Sequence, residues 1–227
     1  MKTLIKTIAV CAILGAAVNL NAQTVTVDPG QTWVGFMNVF DLANNYQFGS
    51  SWGTADLTAT FSGPTLTLGP NSVNDPSSYW YTPAGGPGSV GNKIMDASMY
   101  VETTGTFVNT TLTFSGDVLA NTLAGQVAAG NGVPWTTVAF IKDFAPDYSS
   151  YTATTVALTP GVFSINLATG GAGDHVQYGF ETVGSDVWIT DVGQYGNVQI
   201  TAVPEPSTVA LAGLAGFAVL SFIRRRN

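Results

Sequence analysis

The chain has 227 residues, of which 45% are hydrophobic and 11% aromatic but only 9% charged. This composition excludes coiled coils and helix bundles, which need charged residues on their solvent-facing sides, and it holds too much core material for a disordered chain. Between Gln23 and Val203, two lysines stand against 13 acidic side chains, a net charge of −11. Because a surface of that charge repels phosphate backbones, we expect no nucleic-acid partner.

Residues 1–22 have the pattern of a secretory signal peptide. Two lysines precede an apolar run from Ile8 to Val18. The sequence Leu-Asn-Ala at residues 20–22 follows and resembles a signal-peptidase site, which predicts cleavage after Ala22. The single cysteine, Cys11, lies within this segment. The exported domain is predicted to span residues 23–202 and would therefore contain no disulfide and no thiol nucleophile.

Within this domain, apolar and polar residues alternate in a way typical of strands with one buried and one solvated face. The clearest examples lie at residues 57–62, 163–167 and 176–181, and turn signals rich in Gly and Pro separate such segments. The pattern predicts an all-β fold, an antiparallel β-sandwich of jelly-roll type with about ten to twelve strands. Apolar residues recur every four positions within residues 118–129, so a short helix is an alternative there.

No catalytic motif is complete, and we expect the protein not to be an enzyme. Ser51 lies in a G-x-S-x-G pattern, but strand-like alternation follows it where a nucleophile elbow needs a helix, so a turn is expected. His175 is the only histidine, and its place at the edge of a glycine-rich loop predicts a surface residue. The glycine-rich segment 86–91 is followed by Asn92 where a phosphate-binding loop needs lysine. A carboxylate-based glycoside hydrolase remains an alternative, since paired acids need no histidine.

One aromatic cluster suggests ligand binding. Tyr79, Trp80 and Tyr81 lie together between turn signals, and exposed aromatic faces can stack on sugar rings. The domain is loosely similar, in length and strand pattern only, to jelly-roll carbohydrate-binding modules. That similarity implies that a neutral matrix glycan is an alternative ligand, bound through these three residues.

No cofactor is expected, although a structural calcium ion is an alternative because calcium takes oxygen ligands. Asp186 with Asp191, or Asp143 with Asp147, are the candidate ligand pairs. No continuous calcium-binding loop of the D-x-[DN]-x-[DN]-G type is present.

The C-terminal segment, residues 203–227, has three parts in a fixed order. An extended tripeptide comes first, an apolar run from Val209 to Ile223 follows, and a basic cluster ends the chain: Pro204, Glu205 and Pro206, then Arg224, Arg225 and Arg226. Counted from Ser207, the apolar segment would form about 26 Å of helix, a short membrane span. The lysines near one end and the arginines at the other are both expected on the cytoplasmic side, which places the domain outside.

This segment resembles a PEP-CTERM sorting signal. The resemblance covers about 25 residues and implies a membrane-embedded processing enzyme, an exosortase, which recognises the Pro-Glu-Pro tripeptide and removes the tail. It further implies a Gram-negative-type envelope, with the protein anchored in the inner membrane before processing and then placed on the cell surface or in the matrix. It also implies association with exopolysaccharide or biofilm.

Overall fold

Two six-stranded β-sheets form the layers of the fold. The computed structural model describes residues 22–128 and 130–203. The first sheet contains β1 (Ala22–Thr26), β4 (Ala59–Ser62), β5 (Thr65–Leu68), β9 (Thr111–Asn121), β12 (Gly161–Ala168) and β14 (Val198–Thr201). The second contains β2 (Val34–Asp41), β3 (Tyr46–Trp52), β8 (Lys93–Thr104), β10 (Thr136–Phe144), β11 (Tyr151–Ala157) and β13 (His175–Ser185). A short pair, β6 (Tyr81–Thr82) and β7 (Val90–Gly91), and a 3₁₀ turn at Val192–Gln194 complete the elements.

The two sheets differ in the order and direction of their strands. β12 lies along one side of β9, while β1 and β14 share its other side, followed by β5 and β4. All pairs are antiparallel except β1–β9, which is parallel. This corrects the purely antiparallel prediction: β1 and β9 are far apart in sequence, so no hairpin imposes an antiparallel direction on them. The second sheet runs β11-β10-β13-β8-β2-β3 and is antiparallel throughout.

The core lies between the two sheets and joins them through aromatic rings. Phe180 of β13 lies 5.4 Å from Phe114 of β9 and 6.1 Å from Phe163 of β12, measured between ring centroids. The Trp33 ring also stacks on the Phe180 ring, with centroids 6.1 Å apart. Phe114, Phe163 and Phe180 are all buried and belong to one continuous cluster with residues from both sheets. The predicted all-β fold is therefore confirmed, the packing of the two sheets is compatible with a sandwich, and the jelly-roll type stays a prediction.

Most of the predicted strands are present. Residues 163–167 lie in β12 with Phe163 and Ile165 buried, and β4 begins at Ala59, two residues later than the alternation suggested. The alternative helix at 118–129 is wrong. Residues 118–121 continue β9 because they pair with β14.

β13 departs from the predicted pattern on its second face. Val176, Tyr178 and Phe180 point into the core as expected. The intervening residues are less solvated than predicted, however: Gln177 is only 8% exposed and Glu181 is half-buried. On this face, side chains of neighbouring strands therefore partly cover β13, through Glu102 at Gln177 and Lys142 at Glu181.

No helix of the described ranges, 22–128 and 130–203, has the length and hydropathy to cross a membrane. The predicted apolar tail helix, the Pro-Glu-Pro tripeptide, the arginine cluster and the signal peptide up to residue 21 lie outside the described residues. Ala22, the predicted last residue of that peptide, is the first residue of β1.

Candidate functional site

A groove of about 560 Å³ runs across the outer face of the second sheet. It crosses β2, β8, β13, β10 and β11, and with strands about 4.8 Å apart this amounts to roughly 19 Å. We call it the outer groove, and its lining residues combine rings, amides and carboxylates: Phe36, Asn38, Asp96, Ser98, Tyr100, Lys142, Phe144, Tyr148, Tyr151, Ala153, Thr155, Gln177 and Glu181.

Gly179 lies in the middle of β13, between the groove-lining residues Gln177 and Glu181. Its cross-strand neighbours are Phe140 on one side and Tyr100 on the other. A Cβ at this position would collide with the main chain of β8 at Met99 and Tyr100. The rings of Tyr100 and Phe140, which flank Gly179 in register, lie 6.4 Å apart.

Charged groups meet at the centre of the groove. Lys142 Nζ donates to Glu181 Oε2 at 2.9 Å and also lies 4.2 Å from the centroid of the Phe140 ring. Asn38, the cross-strand partner of Asp96, donates from Nδ2 to Asp96 Oδ2 at 3.5 Å. Burial, followed by the nearby charge of Glu181, raises the pKa of Asp96 to about 6, although Lys142 and Asn38 act against the shift.

Three aromatic residues form one wall, which we call the aromatic wall. Phe144 and Tyr151 are a cross-strand pair with ring centroids 4.9 Å apart, and Tyr148 lies 5.6 Å from Phe144. Tyr148 and Tyr151 are 48% and 58% exposed.

Two contacts hold Tyr148 in position. Its ring stacks on His175 at 4.2 Å, and its hydroxyl donates to Glu102 Oε1 at 2.9 Å. Burial, followed by the hydrogen bond to Glu102 and its charge, raises the pKa of Tyr148 to about 12, so the phenol stays protonated. His175 is bound at both ring nitrogens, next to Thr104 Oγ1 and Pro146 O, at the loop edge where the sequence predicted it.

The trio at residues 79–81 does not form an exposed aromatic surface. Trp80 is 7% exposed and meets the rings of Phe48 and Trp52 edge-on, while Tyr81 is fully buried. Only Tyr79 is accessible, at 41%. This corrects the expectation that an extended segment turns one face outward, because residues 77–80 form a turn in which the Trp80 N–H donates to Ser77 O.

The candidate calcium ligands each have other partners. Asp186 is fully buried and accepts from the Lys93 N–H, whereas Asp191 accepts from the Gly88 N–H. Asp143 accepts from the Gly170 N–H, and Asp147 accepts from the Ser149 N–H in a turn. Within 22–128 and 130–203, no three His, Cys, Asp or Glu side chains lie close enough together to hold a metal ion.

The candidate nucleophile has no elbow around it. Ser51 is an exposed residue within β3, paired with Phe36, and is neither in the predicted turn nor followed by a helix.

Comparison with known proteins adds one finding. Residues 202–226 match the PEP-CTERM protein-sorting motif. The resemblance of the C-terminal segment is thereby confirmed, and it identifies the segment as a sorting signal of the kind that an exosortase processes. No curated protein matches the chain.

Proposed function

We propose that this chain is an exported, non-enzymatic protein that an exosortase-type enzyme processes and releases to the cell surface or extracellular matrix, where it associates with exopolysaccharide. The single observation that carries the proposal is the sorting motif at residues 202–226. The predicted signal peptide supports export, and the basic cluster after the apolar run supports a transient inner-membrane anchor. The resemblance of the sorting motif implies a Gram-negative-type envelope.

Alanine substitution of Pro204, Glu205 and Pro206 together should leave the tail on the protein, because the extended tripeptide is the predicted recognition element. Intact-mass spectrometry of the protein from the envelope and the medium measures this directly. Wild-type protein should have lost the apolar tail, while the triple variant should keep it and stay with the membrane fraction. The matched control replaces Ser207 and Thr208 by alanine, which should be processed normally. Equal mature masses for the wild type and the triple variant would contradict the proposal.

Carbohydrate binding is the second candidate function, and the outer groove favours it. Aromatic rings beside convergent polar groups in one concave site are typical of small-ligand pockets. Glycan binding by a module of jelly-roll type would retain the exported protein in a polysaccharide matrix.

The groove also contains the acids that a glycoside hydrolase would need, so the non-enzymatic proposal requires its own test. Incubating the exported protein with neutral oligosaccharides should release no reducing ends. Lys142 neutralises Glu181 by direct pairing, and Asp96 is tied to Asn38. Release that disappears in both Asp96→Asn and Glu181→Gln would show catalysis and refute the proposal.

A further inference from the structure

We propose that the outer groove binds a chain of uncharged sugar residues, laid across the strands with a ring against the aromatic wall and hydroxyl groups on the polar floor. This inference rests on the proposed function, because it names the ligand class that would hold the exported protein in its matrix. It replaces the trio at residues 79–81, whose Trp80 and Tyr81 are in the core.

The shape of the site fits an extended ligand better than a compact one. The lining residues come from five adjacent strands, so the outer groove is elongated and runs across the sheet. Its length of roughly 19 Å follows from the strand spacing and suits several linked sugar units. Ala153 and Thr155 on β11 have small side chains, so this edge of the outer groove is open to a ligand.

The aromatic wall supplies the apolar contact. A sugar ring has a C–H face that packs against an aromatic ring, and Tyr151 offers a ring that is 58% exposed. Tyr148 is fixed by the His175 ring below and the Glu102 carboxylate beside it. Because these contacts already restrict the rotamer, little conformational entropy is lost when a ligand stacks there.

Polar side chains face the same groove at cross-strand positions. Gln177 of β13 lies between Lys142 of β10 and Glu102 of β8 in register. Its Nε2 donates to Glu102, so its carbonyl oxygen is the group left to accept a hydroxyl. With Asn38 and Glu181, the floor offers amide and carboxylate partners, which suit the paired donor and acceptor character of sugar hydroxyls.

Charge selects against acidic polysaccharides. The domain has two lysines, and both ammonium groups are engaged: Lys142 with Glu181, and Lys93 with the Tyr79 carbonyl at 2.8 Å. A uronate or sulfate would meet Asp96 and Glu181 without a cation available to balance it, at the cost of desolvating its own charge. An uncharged glycan pays no such penalty.

The experiment measures binding of the exported, processed protein to neutral oligosaccharides of glucose, galactose and mannose. Oligogalacturonate serves as the anionic comparison and chitosan oligomers as the cationic comparison. We expect binding to at least one neutral series, weakened about tenfold by Tyr151→Ala, since loss of one ring contact costs about 1.4 kcal/mol. Ala153→Trp, which fills the groove without removing a contact, should abolish binding. Tyr79→Ala removes an exposed tyrosine outside the groove and should leave the affinity unchanged.

Absence of binding to every neutral oligosaccharide series would overturn the inference. Tighter binding to either charged oligomer than to the neutral series would also overturn it. Weaker binding by Tyr79→Ala with no effect of Tyr151→Ala would move the site away from the groove and equally refute it. Circular dichroism of each variant confirms folding, and both substituted groove positions are exposed residues of the edge strand β11. A processed protein that binds no glycan refutes this inference and the second candidate function but leaves the sorting proposal intact, whereas retention of the tail refutes the sorting proposal alone.

Discussion

Replacing Phe180 by alanine is expected to lower the free energy of unfolding by about 3–5 kcal/mol. Phe180 is 1% exposed and contacts Trp33, Phe114 and Phe163, so its ring joins the two sheets at their centre. Truncation would leave a cavity that these rigid neighbours cannot fill. Since small domains are stable by only about 5–15 kcal/mol, the change removes a large part of the total.

Urea denaturation followed by tryptophan fluorescence measures this loss. Tyr151→Ala is the control, because it removes only a solvent-exposed cross-strand pair with Phe144 and should cost no more than about 1 kcal/mol. A Phe180→Ala protein as stable as this control would show that the aromatic cluster does not hold the sheets together.

Raising the pH from about 4 to about 7 is expected to destabilise the protein through Asp186. This carboxyl is fully buried, and burial raises its pKa to about 7 despite the hydrogen bond from the Lys93 N–H and the charge of Lys93. In the unfolded chain it titrates near pH 3.9. Between these values the native state holds one more proton than the unfolded state, so the free energy of unfolding falls as the pH rises. A shift of about three units corresponds to an upper limit of about 4 kcal/mol.

The pH profile of unfolding distinguishes this carboxyl from others. Asp96, with a pKa raised to about 6, acts in the same direction but is largely titrated above that pH. Asp186→Asn should therefore flatten the profile between pH 6 and 7. Asp28→Asn should leave that part unchanged, because hydrogen bonds from Gln31 and Gly30 hold the Asp28 pKa below its usual range. An unaltered slope in Asp186→Asn would refute the assignment.

The sorting segment could be predicted from the sequence because its parts are contiguous. Tripeptide, apolar run and arginines follow one another within residues 204–226, and each acts through local properties of the chain. The strands facing the core could also be predicted, since Phe163 and Ile165 or Tyr178 and Phe180 reveal a two-residue period.

The outer groove could not be predicted in the same way. Asn38, Asp96 and Glu181 become neighbours only through the order of strands β2, β8 and β13, which no local pattern specifies. One signal was present: Phe144, Tyr148 and Tyr151 cluster on either side of an Ala-Pro-Asp turn. The trio at 79–81 gave a similar signal but is mostly core, because aromatic clustering alone does not say which side of a sheet the rings occupy.

The last described residues of the chain leave the sandwich from β14, in the sheet that does not bear the groove. Under the two proposals, anchorage and glycan recognition belong to opposite layers of the molecule, about 10 Å apart. A molecule still tethered at its C-terminus would then present the proposed sugar-binding groove away from the layer that carries the tether. Glycan capture, as proposed, would then need no prior proteolytic release, and the cut would free a complex that had already formed.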